Sequence, residues 1–271
     1  MKKKLRISTV LFLLLLLAGL GILLYPTMQD QYMRRQLSKE IGEYNQVTEA
    51  EKADYTELWN AAEAYNAALA EKESQFAISE EEEGQISTLL NPLGNGMMGY
   101  IDIPKINIHL PIYQGTEEKA LQSGAGWWVG TSLPTGGEST HCVITAHTGL
   151  VKAKMFTDVD QLETGDTFTL SILDRILTYK VDQVLIAEPD EFEPLLIQEG
   201  MDYVTLYTCY PYGVNTQRLL VRGHRIETPD TVIERATEQW KKWLPVVLLF
   251  LLLLLILIIV IWKRRKKKRL L

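Results

Sequence analysis

Cysteine and histidine are scarce in this chain: two of the first and four of the second in 271 residues. Two cysteines, Cys142 and Cys209, make no disulfide framework. Pairing them would also consume the better nucleophile, because Cys142 lies in a strand-like run (His141-Cys142-Val143-Ile144-Thr145) where a cysteine packs as a small hydrophobe. No internal repeat is present. Positive charge is missing where it would matter for nucleic acid. Of the 28 Lys and Arg, four precede the first long apolar run and seven follow the second, which leaves 17 against all 34 Asp and Glu, a balance of −17. Such a segment does not neutralise phosphates, which excludes nucleic acid as a partner, and an anionic membrane surface repels it.

Long apolar runs are absent between the ends and present at both. Thr9 to Tyr25 carries no charge and follows Lys2, Lys3, Lys4 and Arg6; Leu244 to Trp262 carries none and precedes seven basic residues. Runs of about 18 or more apolar residues are long enough to cross a bilayer as helices. Basic clusters beside a span stay in the cytoplasm. Two spans are therefore expected, with both termini cytoplasmic and the segment between them outside the cell. The first run also fits a cleaved signal peptide, although no A-x-A-like site follows it.

The outer segment divides by texture. From Gln29 to about Lys72 the apolar positions Leu37, Ile41 and Tyr44, then Tyr55, Leu58, Ala62, Tyr65 and Leu69, recur at spacings of three and four, an amphipathic helical stripe. A break with an N-cap at Thr48 and a capping-box partner at Glu51 is expected between them. Glu73 to Asn91, with four consecutive acids at Glu80 to Glu83, reads as a solvated linker. From Met97 the pattern becomes short strands: alternation from Ile101 to Ile112 broken at Pro104 and Pro111, then 141–146, 167–173, 177–186, 203–208 and 218–225. Turn residues separate them, and one helical turn is expected within 190–197. The class is mainly β, a barrel or sandwich. The expected divisions are 1–28 (basic tail and first span), 29–90 (helices and acidic linker), 91–230 (catalytic domain) and 231–271 (linker, second span and basic tail).

The chemistry centres on Cys209, which closes the run Thr205-Leu206-Tyr207-Thr208-Cys209, with Arg218 nine positions later and His147 in Thr145-Ala146-His147-Thr148-Gly149. Each lies at or beside a strand end. A thiolate attacks carbonyls and needs a base or positive charge nearby to form. His147 can carry the proton, and Gly149 allows a tight exit that leaves the imidazole at the sheet rim. Arg218 keeps its charge and can face a developing oxyanion. A hairpin-like connection would set Cys209 beside Arg218. His109 is expected to face solvent, and His141 and His224 to have no chemical role.

These residues resemble a known family. The Cys209 run is similar to the TLxTC signature of sortases, cell-surface transpeptidases of Gram-positive bacteria, and Thr145 to Leu150 to their TGHxGL motif. Val214 to Val221 resembles the stretch that holds their essential arginine, and Met98 to Ile106 with Leu110 to Thr116 resemble their first strands. The resemblance runs from about Asn91 to Ile226. It implies a sortase-like β-barrel with N-terminal helices, here flanked by two transmembrane helices. A C-terminal span with a basic tail points to the pilus-assembling class C.

By this resemblance Cys209 is the nucleophile, His147 the acid and base, and Arg218 the group that steadies the oxyanion. Thr148, Thr208, Tyr210 and Asn215 are the candidate substrate-binding residues. The implied substrate is a pilin or surface protein with an LPxTG-like signal, cleaved after Thr. The acceptor is a pilin lysine or a cell-wall precursor amine, and neither a metal nor an organic cofactor is needed. Ala146, Tyr210 and Gln217 stand where the family more often has Gly, Thr and His. The Asp-Pro-aromatic lid motif of pilus sortases is missing, so a lidless or weakly lidded enzyme is expected, with Phe76 the aromatic residue able to plug the site. Leu133-Pro134-Thr135-Gly136 lacks one residue of a sorting signal and reads as a turn. Three other readings remain: a sortase that anchors proteins to peptidoglycan, an extracellular cysteine protease, and a non-enzymatic surface receptor. The order His147 before Cys209 is the reverse of papain-like enzymes.

Overall fold

A computed structural model describes residues 7–49, 54–150 and 153–229. Residues through Glu227 form one compact unit; of the second, which starts at Thr228, only two residues are described. Three helices come first: α1 (Ile7–Thr48), α2 (Thr56–Ala70) and α3 (Glu80–Ile86). Then follow β1 (Met97–Ile103), β2 (Ile108–Gln114), a short helix α4 (Glu118–Ser123), β3 (Ala125–Trp127), β4 (Thr140–Thr145), β5 (Thr167–Ile172), β6 (Arg175–Ala187), β7 (Asp202–Tyr210) and β8 (Gln217–Ile226). The strands close into a barrel in the order β1-β2-β3-β4-β7-β8-β6-β5. The pairs β2/β3 and β4/β7 are parallel and the others antiparallel.

Alternation along the strands sorts side chains into a core and an outer face. Ile101, Ile103, Ile112, Trp127, Ile144, Phe168, Leu170, Val204, Leu206 and Val221 are fully buried and pack together. Pro104 ends β1 in a single 3-10 turn, and Asn107 turns the chain back in the left-handed region (φ 53°). Pro111 does not break β2 as the sequence suggests. Pairing with β3 starts only at Ile112, so the buried proline precedes the first β2–β3 rung and its missing N–H breaks no ladder bond there.

The helical stripe packs as its spacing predicts. Tyr44 is buried between α1 and the barrel; its hydroxyl donates to Met98 O (2.7 Å) and accepts from Leu173 N–H (2.8 Å). Asp30 on α1 accepts from the Lys154 N–H (3.1 Å) and pairs with Arg34 (2.8 Å). From α2, Asn66 donates to Leu133 O and accepts from Leu133 N–H, which fixes the 133–136 stretch as a buried turn.

Three local expectations need correction. Thr48 caps no helix: it is the last residue of α1, and its hydroxyl donates to Tyr44 O. The acidic stretch is not plain linker. Ser79 and Glu82 form a reciprocal capping box, and Lys72 pairs with Glu82, so the four acids sit in the first turn of α3 where the helix dipole favours them. His109 is half-buried, its Nδ1 2.6 Å from Asp102 and its ring edge-on to Tyr100. The structure also adds β3 and α4, too short to leave a periodic signal. The turn expected in 190–197 is a 3-10 turn at Glu193–Leu195.

Among the described residues no helix is long and apolar enough to cross a membrane. The run 9–25 forms the N-terminal part of α1, and the run 244–262 lies outside the described residues.

Candidate active site

The β7–β8 hairpin does what the nine-residue spacing suggested. Cys209 and Arg218 are direct partners across the ladder, and alternation puts both on the outer face of the barrel. The connection is tight: Val214 N–H and Asn215 N–H both donate to Pro211 O, with Asn215 left-handed (φ 61°). Arg218 Nη1 donates to Asn215 O (3.1 Å) and Gln217 O (2.9 Å), so the backbone of the turn aims the guanidinium. Asn215 itself is exposed, and its carbonyl is the part that serves the site.

The third member arrives through the parallel pair. Thr145 on β4 is level with Tyr207 on β7, and the Ala146 N–H to Tyr207 O bond carries the pairing one step further. Continued two residues past that last pair, the same register leads from Tyr207 to Cys209 and from Thr145 to His147. Two hydroxyls lock this strand end. Thr208, 3% exposed, donates to Ala146 O (2.7 Å); since its proton is then committed, Thr148 donates to Thr208. Beyond His147, Phe156 N–H donates to its carbonyl (3.0 Å) and Gly149 N–H to Thr157 Oγ1. Gly149 holds φ +81°, and a Cβ there would meet the Tyr212 ring at 3.3 Å. The imidazole Nε2 is shielded from solvent and makes no hydrogen bond, and Glu118 Oε2 of α4 lies 3.7 Å from it.

An open cleft of about 200 Å³ reaches Cys209, lined by Thr148, Phe156, Thr157, Asp160, Thr208, Tyr210, Tyr212 and Leu219. Of the candidate substrate-binding residues, Thr148, Thr208 and Tyr210 border this cleft and Asn215 does not. Sequence reasoning missed Phe156, Asp160 and Tyr212, which come from turns and a single 3-10 turn (Val159–Gln161) with no pattern to mark them. It also missed an aromatic shelf beside Arg218. Tyr207 meets Trp128 edge-on (4.9 Å), and Trp128 and Phe76 both touch Phe192. Burial raises the Tyr207 hydroxyl above its ordinary pKa, and the adjacent Arg218 opposes that shift. Phe76 is held over this shelf because Gln75 donates to Leu195 O and accepts from Ile197 N–H. Phe76 is not among the residues lining the Cys209 cleft.

The two cysteines differ as expected. Both are free; Cys209 is half-buried, while Cys142 is fully enclosed and burial drives its thiol well above the ordinary range. His141 is a satisfied interior residue. Its Nδ1–H donates to Leu196 O, its Nε2 accepts from the Thr205 hydroxyl, and burial holds its pKa down at about 4.

Residues 101–226, which hold all but the first residues of the barrel and all three residues, match the sortase domain. The chain belongs to the sortase family of cysteine transpeptidases. Sortase D of Bacillus subtilis is 30% identical over 131 residues, 47% of this chain and 63% of that protein, so the match spans less than two thirds of that relative's length. Sortase C of Streptococcus pneumoniae, whose structure bears on catalysis and pilin substrate specificity, is 46% identical, with TM-score 0.60, 70% of this chain and 96% of that one covered. Sortase C of Clostridium perfringens, solved with the C-terminal cell wall sorting motif, is 42% identical, with TM-score 0.61, 70% of this chain and 100% of that one covered. Both of these solved structures are sortases C.

Proposed function

We propose that this sortase joins pilin subunits, cleaving an LPxTG-like sorting signal between Thr and Gly and passing the acyl group to a pilin lysine. The observation that carries the reading is the opposed Cys209–Arg218 pair, with His147 two residues past the end of β4, the strand that runs parallel to β7. The Cys209 thiolate attacks the Thr carbonyl carbon, and the electron pair moves to its oxygen. Arg218, a permanent cation with several N–H donors, faces that developing charge. As the intermediate collapses the C–N bond breaks, and imidazolium His147 gives its proton to the leaving Gly amine, leaving a thioester on Cys209. His147 then takes a proton from the attacking lysine amine. The amide forms, and Cys209 leaves as thiolate.

Thr148 and Tyr210 would contact the Thr-Gly end of the signal from the cleft, and the Trp128–Tyr207 shelf offers an apolar seat for its Leu and Pro. The apolar runs at both ends, with their basic flanks, support two membrane anchors that hold 91–230 outside the cell. Similarity to sortases C supports pilin as the partner over a peptidoglycan amine. The test is mass spectrometry of the protein with an LPxTG peptide, with and without a pilin-derived lysine peptide, and with Cys209→Ala as control. An adduct ending in Thr on Cys209 that moves to the lysine supports the reading. Transfer only to a peptidoglycan amine would replace pilin assembly by wall anchoring, and transfer only to water would make the protein a protease.

A further inference from the structure

We propose that Glu118 is the positioning residue of His147: its carboxylate faces the imidazole Nε2 and takes up the Nε2–H of the imidazolium. The inference deepens the acyl-transfer reading above, since imidazolium is the form that protonates the leaving amine. Three observations carry it. The Nε2 atom is shielded from solvent yet makes no hydrogen bond, and a buried polar atom left so is costly. Among the described residues, the acidic group beside it is Glu118, with Oε2 at 3.7 Å, a few tenths of an ångström beyond hydrogen-bond reach. Glu118 is also held by its far oxygen: Gln122, one turn along α4, donates its Nε2–H to Oε1 at 2.7 Å. That bond leaves Oε2 free for the histidine.

Placement in the first turn of α4 accounts for an acid at this position and for the pairing with Gln122. It does not account for a carboxylate oxygen set against a buried imidazole nitrogen. The chemistry follows from charge. When His147 gains a proton, Nε2 becomes a donor and the carboxylate closes on it, which orients the ring and leaves Nδ1–H for proton exchange. The other titratable or charged groups around this mouth are Cys209 and Tyr210 on β7, Arg218 on β8, Tyr212 in the hairpin turn and Asp160. Glu118 is 69% exposed, so solvent screens the contact.

The deciding experiment is an NMR titration of His147 in Cys209→Ala protein, where the coupled thiol is gone and no substrate is needed. Glu118→Ala is expected to lower the His147 midpoint, and Glu118→Asp to recover part of the loss. An unchanged midpoint overturns the proposal whether or not the protein transfers acyl groups. In enzyme with Cys209 intact, Glu118→Ala should slow acyl-enzyme formation about 3- to 10-fold with little change in KM, and move the alkaline limb of kcat/KM to lower pH. Gln122→Ala should act in the same direction more weakly and add nothing to Glu118→Ala. A Glu118→Ala protein with an altered midpoint but no acylation in either form would refute the transpeptidase reading and leave the pairing intact.

Discussion

Replacing Thr208 by Val tests whether a buried hydroxyl, rather than the strand pairing alone, holds the strand end that carries His147. The two side chains have nearly the same shape, and Thr208 is 3% exposed, so the change removes an O–H and little packing. Two contacts vanish: the donation to Ala146 O at 2.7 Å and the acceptance from Thr148. A buried carbonyl losing its donor costs about 1–3 kcal/mol, while Thr148 can turn its proton to water. The expected destabilisation is about 2 kcal/mol, read as a lower urea midpoint at unchanged slope. The strand end beyond Thr145 then keeps the Ala146 N–H bond and loses its side-chain lock. A shift of about 1 Å in a catalytic group costs up to about 100-fold in rate, so acyl-enzyme formation should fall about 10- to 100-fold. Thr148→Val removes only the outer of the two bonds and should lose less, and the double variant should fall short of the summed effects. Burst-phase kinetics with an LPxTG peptide and urea unfolding, run on the same four proteins, give both readouts. Loss of stability with an unchanged acylation rate in Thr208→Val would refute the reasoning, because it would leave the hydroxyl a packing role only.

Three further outcomes follow from the site. Alkylation at neutral pH should modify Cys209 alone, since burial holds the Cys142 thiol far from ionisation; a second adduct on folded protein would contradict the enclosed position of Cys142. His141, held at about 4 against 6.5 unfolded, contributes stability that is complete above pH 6.5 and lost as pH falls towards 4, by at most about 3 kcal/mol. Burial raises Asp202, which works in the opposite direction, so the His141 share is read as the midpoint of that ring by NMR; a value above 6 would refute it. Phe76→Ala should leave turnover within about twofold, because Phe76 packs on Phe192 and does not line the Cys209 cleft. A large rise would show instead that the 72–79 segment acts as a lid.

Some of this was legible residue by residue. Cys209, His147 and Arg218 could be named from the chain because each ends a strand-like run and its chemistry has few substitutes. Alternation is local as well, so the inner and outer faces of β7 and β8, and with them the Cys209–Arg218 pairing, follow from a period of two and one tight connection. The N-terminal stripe at Leu37, Ile41 and Tyr44 announced its own burial in the same way. Periodicity says nothing about groups that meet from distant places. The parallel match of β4 with β7, whose register leads on to His147 and Cys209, joins segments about sixty residues apart and depends on barrel closure. The capping of α3, the aromatic shelf of Phe76, Trp128, Phe192 and Tyr207, and the setting of Glu118 against His147 arise the same way. The sequence by itself singled out the side chains proposed for the chemistry, because residue type and strand period are local properties. Only the tertiary structure decided which of them meet, because contact between remote segments is settled by packing the whole barrel.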